Sequence, residues 1–123
     1  MGLARTKVTD AGLEHLQGLV NLKMLFLRQT KVADPGLVHL KNLKQLDFLV
    51  LDTTQVTDAG LAHLKGLTNL TRLFLDNTKI TDAGLAHLEG LSKLQFLELG
   101  GTKITDEGVK NLRKSLPNLE GVR

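Results

Sequence analysis

The sequence predicts an α/β solenoid, right-handed, with a parallel sheet on its concave side and short helices on its convex side. Three observations predict it. A unit of 24 residues runs four times through residues 6–101 and begins a fifth time at Thr102, so that Thr6, Thr30, Thr54, Thr78 and Thr102 recur without insertion or deletion. Inside each unit an apolar, variable, apolar triplet such as Leu73, Phe74, Leu75 alternates with the period of a strand. Behind it, Asp82, Gly84, Leu85 and Leu88 carry the i, i+3 spacing of a short helix. A unit of this size cannot bury an apolar face alone and does so by stacking on its neighbours.

Taken in chain order, the frame places helices near 11–17, 35–41, 59–65, 83–89 and 107–114, and strands near 24–28, 48–52, 72–76 and 96–100. Each helix reads with aspartate as its N-cap (Asp10, Asp34, Asp58, Asp82, Asp106) and glycine early in its first turn, where a small residue allows adjacent helices to approach closely. Pro35 falls on the first helical position, where proline is best tolerated. Gly18, Asn42, Gly66 and Gly90 suit a left-handed helix end. The threonine column follows the strands, where an inward hydroxyl can satisfy the backbone of the bend; it reads as a structural ladder.

The strand segments have Leu70, Leu73, Leu75 and Ile80 as apolar positions, repeated at Leu22, Leu25, Leu27 and Val32, at Leu46, Leu49, Leu51 and Val56, and at Leu94, Leu97, Leu99 and Ile104. This is LxxLxLxxNxL with threonine at the asparagine place, and over its whole length the chain resembles the leucine-rich repeat family. Within it, ITDAGLAHL at 80–88 looks like the 24-residue TDAGL-type bacterial repeats similar to the cysteine-containing subclass, from which the chain departs by having no cysteine. The resemblance implies a non-enzymatic protein-binding scaffold. Family members serve as ubiquitin-ligase substrate receptors and as bacterial host-interaction proteins, and this chain carries neither an F-box nor a secretion signal.

Composition fits one domain of about five repeats over residues 1–123, with both ends inside a repeat. The 123 residues are 41% hydrophobic, mean hydropathy is near zero, and a chain of this length buries roughly two thirds of its unfolded surface. No run approaches the length of a membrane span, and residues 1–10 lack the apolar core of a signal peptide, so no membrane partner is expected and a cytoplasmic setting is the default. Met1 and Leu3 fall in register with Leu25 and Leu27, while Leu116, Leu119 and Val122 continue the frame after a one-residue insertion that, with the polar run 110–115, suggests a rudimentary cap. Either a piece of a longer array or a chain whose open ends meet another copy fits these ends.

The candidate site lies on the variable strand positions. Phe26, Phe48, Phe74 and Phe96, with Met24 and Val50, form an expected apolar strip across strands about 4.8 Å apart. Arg28, Asp52, Arg72, Asp76 and Glu98 surround it, the layout of a protein-binding face. The competing reading is that β-propensity alone puts aromatics on strands. No phenylalanine occupies a core place, which favours the functional reading.

Other columns read as structure. His15, His39, His63 and His87 sit one per helix, too far apart to converge on a metal. Lys7, Lys31, Lys79 and Lys103 lie beyond the strand ends; with a net charge of only +3 and aromatics on a different edge, nucleic acid is not an expected partner. MGLART matches a myristoylation pattern, but Leu3 and Thr6 are dictated by the frame. No nucleophile stands beside a histidine and no phosphate loop is present, so neither an enzyme nor a cofactor is expected. The expected function is a protein-binding module with the four phenylalanines as anchors. The alternative is a structural or self-assembling repeat piece, a fragment or a consensus-built chain, that joins identical chains as a homo-oligomer through open ends or the concave face.

Overall fold

A computed structural model describes residues 1–122. Strands β1 (Met24–Phe26), β2 (Phe48–Val50), β3 (Arg72–Phe74), β4 (Phe96–Glu98) and β5 (Gly121–Val122) form one parallel sheet in sequence order. Register advances by one repeat per strand, with Leu25, Leu49, Leu73 and Leu97 aligned, and Val122 opposite Leu97. Gly2 bridges to Phe26 and extends the pairing one repeat toward the N-terminus.

The leucines of every repeat fill one continuous core, with Leu25, Leu49, Leu73, Leu97 and their helix partners Leu13, Leu37, Leu61 and Leu85 all buried. Among the described residues no aromatic side chain is in it; leucine, valine and isoleucine fill it.

The strands are two residues shorter than the frame predicts. Pairing nevertheless continues through the bend, since the Leu51 N–H donates to Phe74 O at 2.8 Å and the Thr53 N–H to Asp76 O at 2.8 Å. The chain leaves the extended conformation at the residue before each threonine: Arg5, Gln29, Thr53, Asn77 and Gly101 have φ of 58°, 56°, 56°, 57° and 74°. The left-handed positions are therefore here. Gly18, Asn42, Gly66 and Gly90, expected to hold them, do not. With the chain so turned, Thr30, Thr54 and Thr78 are buried and donate to the carbonyls of Leu27, Leu51 and Leu75 at 2.8, 2.7 and 2.7 Å, the ladder the sequence predicts.

The helical segments are also corrected. One α-turn, α1 (Asp10–Leu13), α2 (Asp34–Leu37), α3 (Asp58–Leu61) or α4 (Asp82–Leu85), passes into a 3₁₀ turn at Glu14–Leu16, Val38–Leu40, Ala62–Leu64 or Ala86–Leu88. The cause is leucine spacing. Leu61, Leu64 and Leu67 are three apart and all buried, and side chains three apart eclipse in a 3₁₀ turn. The insertion between Leu112 and Leu116 changes that spacing to four, and the last helix, α5 (Asp106–Ser115), is α-helical throughout.

Aspartate is not the N-cap. It is the first helical residue, and its carboxylate reaches the next repeat, where Asp34 Oδ1 accepts the Thr57 N–H at 2.7 Å and Oδ2 accepts the Thr57 hydroxyl. Asp58 does the same to Thr81, and Asp82 to Thr105. Asp10 accepts only the Ala33 N–H, at 2.7 Å, because alanine brings no hydroxyl. The glycine of the next helix makes room for this clamp: a Cβ on Gly60 would stand 2.2 Å from Asp34 Oδ1, and one on Gly84 2.3 Å from Asp58 Oδ1.

Candidate functional site

Side chains alternate across the strands, so the residues between and beside the core leucines project from the sheet face opposite the helices. Parallel register sorts them into rows. Met24, Phe48, Arg72 and Phe96 align in one, Phe26, Val50, Phe74 and Glu98 in the next. Phenylalanines thus alternate between rows, and neighbouring rings meet on the diagonal. Phe26 and Phe48 pack edge to face with centroids 5.3 Å apart, and Phe48 and Phe74 at 5.2 Å. All four rings are half-buried. Edge-to-face pairs at this separation add to the stabilisation from area burial, which holds the rings in a fixed arrangement.

The fourth ring joins differently. Arg72 stands between Phe48 and Phe96, with its guanidinium carbon 5.6 Å from one centroid and 5.5 Å from the other. The cation bridges two negative ring faces, so the strip is carried across this row by a cation–π contact. Phe96 also packs beside Gly121, where a Cβ would come within 2.9 Å of its ring. Met24 is 44% exposed at the β1 edge, while Val50 is only 6% exposed in the row between Phe26 and Phe74.

Beyond the rings lie the charges. Asp52, which sequence position alone makes a rim residue, is 8% exposed. Its Oδ1 accepts the Asp76 N–H at 3.3 Å, and Asp76 Oδ1 accepts the Gly100 N–H at 3.2 Å. Burial and the neighbouring Asp76 charge raise the Asp52 carboxyl above the ordinary carboxylate value; Glu98 adds to this, while the Asp76 N–H and Arg28 oppose it. Phe26, Phe48, Val50 and Phe74, with Arg28, Asp52, Asp76 and Glu98, line one open depression of about 660 Å³. Gly2 and Ala4 line it as well. Both were legible one repeat before Phe26 and Arg28, though small side chains gave no chemical signal. A smaller hollow of about 290 Å³ lies against Arg72, Phe74, Phe96 and Glu98.

The other columns sit elsewhere. His39, His63 and His87 are half-buried in the 3₁₀ turns, and His15 is exposed. Among the described residues no group of three or more His, Cys, Asp or Glu could hold a metal ion, and no helix is long and apolar enough to cross a membrane. Lys7, Lys31, Lys79 and Lys103 are exposed beyond the strand ends.

Repeat frame, parallel sheet and interstrand helical turns define a leucine-rich-repeat solenoid. The family model described as Leucine rich repeat matches residues 44–104. Among solved structures, the chain is similar to an internalin (inlF) from Listeria monocytogenes at 24% identity and a TM-score of 0.66, covering 97% of this chain and 39% of that one. It is similar to internalin C2 of the same organism at 26% identity and a TM-score of 0.58, covering 98% and 68%. A leucine-rich-repeat protein of Leptospira interrogans matches at 26% identity and a TM-score of 0.74, covering 98% of this chain and 30% of that one. The chain thus spans well under half the length of two of these three. No curated protein matches it significantly in sequence. The leucine-rich-repeat fold is commonly a protein-binding scaffold.

Proposed function

We propose that this chain is a non-enzymatic protein-binding module that contacts its partner through the sheet face, with Phe26, Phe48, Phe74 and Phe96 as anchors. One observation carries the reading. Phe26, Phe48 and Phe74 form an ordered edge-to-face chain on an open face, Arg72 bridges from Phe48 to Phe96, and the core uses none of these rings. Rigid aromatic side chains bury large area at low entropic cost, which makes them common anchors of interfaces. Met24, Val50, Arg28, Asp52, Arg72, Asp76 and Glu98 complete the face. Nucleic acid and membrane are outside this reading, because the lysine column lies away from the rings. The repeats are read as the TDAGL type, related to the cysteine-containing subclass, in a single domain of about five repeats.

The test is a selection from a random-peptide display library, followed by mapping of bound peptides through amide chemical shifts. Shifts should cluster on β1 to β4, and Phe48→Asp should abolish binding while the circular dichroism spectrum stays native. A footprint on the helical side, or unfolding by Phe48→Asp, overturns the reading.

A second reading, self-assembly of identical chains, is favoured by the apolar surface of the first repeat. Leu19 is 40% exposed, whereas Leu43, Leu67 and Leu91 at the same place are fully buried; Met1 and Val20 are exposed beside it. Sedimentation over a range of concentrations tests it, since this reading requires mass to rise with concentration and Leu19→Glu to prevent the rise.

A further inference from the structure

The depression on the sheet face is lined by apolar and charged groups together. Phe26, Phe48 and Phe74 line it, as do Asp52, Asp76 and Glu98 from three successive repeats. The acidic group arises from register. Asp52 and Asp76 follow β2 and β3 at equivalent positions, and Glu98 is aligned with Phe74 one strand further on.

The two aspartates are held in place by hydrogen bonds that do not neutralise them. Asp52 and Asp76 each accept one backbone N–H from the following repeat, and Gly100 contributes no side chain to the end of that row. Among the described residues lining the depression Arg28 is the one cation, and it lies just after β1. Arg72 is engaged over Phe48 and Phe96. Burial first, and then the neighbouring Asp76 charge, raise the Asp52 carboxyl above the ordinary carboxylate value against the opposing Arg28.

We propose, resting on the protein-binding reading of this face, that its partner is a polypeptide segment that sets a lysine or arginine against Asp52, Asp76 and Glu98 and an adjacent apolar side chain on the phenylalanine rings. Charge complementarity selects this occupant. A wholly apolar segment would cover three carboxylates without pairing them, which is costly in a desolvated interface. A second copy docking face to face would bring its own acidic residues toward these. A basic side chain with an apolar neighbour satisfies both the carboxylates and the rings that line the depression.

Peptides enriched by display selection on the native chain give the test. They should carry lysine or arginine beside an aromatic or branched aliphatic residue. Their affinity should fall about tenfold or more for the Asp76→Asn, Glu98→Gln double variant, which removes two charges from the depression without changing side-chain size. Thermal melting should show that this variant is folded. Enriched peptides that are neutral or acidic, yet footprint on β1 to β4, overturn the inference and leave the protein-binding reading standing. Basic peptides that bind the double variant as tightly as the native chain overturn it too. A footprint away from the sheet face overturns both readings.

Discussion

Asp58 grips Thr81, the N-cap residue of the next repeat's helix, by two hydrogen bonds, accepting the Thr81 N–H at Oδ1, 2.7 Å away, and the Thr81 hydroxyl at Oδ2. The contact ties successive repeats together outside the leucine core, and Gly84 leaves the space it needs. Asp58→Ala should destabilise the chain by about 2–3 kcal/mol, because a part-buried N–H and hydroxyl lose a charged acceptor. Gly84→Ala should be destabilising alone and markedly less so in the Asp58→Ala background, since the added methyl group then meets no carboxylate. Urea denaturation of the two single variants and the double variant checks this; additive losses would separate the two residues.

The first clamp is incomplete because Ala33 supplies no hydroxyl to Asp10. Ala33→Thr should add the missing hydrogen bond and raise stability by about 0.5–1.5 kcal/mol. Thermal melting measures it, with Thr57→Ala as the reverse control. A gain from Ala33→Thr without a loss from Thr57→Ala would rule out the hydroxyl as the cause.

Thr53 is a β-branched residue at φ 56°. Left-handed backbone costs such a residue roughly 1–2 kcal/mol relative to one that tolerates it. Asn77 holds the same conformation one repeat later, so Thr53→Asn should stabilise by about 1 kcal/mol. Its midpoint in urea should rise with the slope unchanged.

Two carboxyls should shape the acid limb in opposite directions. Hydrogen bonds from the Thr105 hydroxyl and N–H lower the Asp82 value below 3.8, so its stabilisation is present above that pH and is lost as pH falls toward the depressed folded value. Asp52 is raised above 3.8, so protonation favours the fold and stability is gained as pH falls through the raised value toward 3.8. Asp52→Asn should therefore be more stable than the native chain at pH 7, and the difference should shrink on acidification. Melting temperatures of both between pH 3 and pH 7 decide it; a variant less stable at pH 7 would show that the charge itself is needed.

Sequence alone determined the strand frame, the core and the threonine ladder. Leu73 and Leu75 must be buried wherever the stack forms, and Thr78 must meet the bend that follows them, because both facts depend on spacing within one repeat. The variable strand residues were legible for the same reason, down to which phenylalanines alternate. What only the tertiary structure decided depends on the neighbouring repeat. Asp58 looks like an N-cap within its own helix and becomes a clamp only when Thr81 stands beside it. Asp52 is buried because Asp76 and the adjacent strands close over it, and Arg72 is committed to two rings on the flanking strands. Thr53 takes the left-handed turn that no local preference assigns to threonine, where its N–H still reaches Asp76 O. A one-dimensional repeat encodes its own unit in its spacing; contacts between units exist only once the units are stacked.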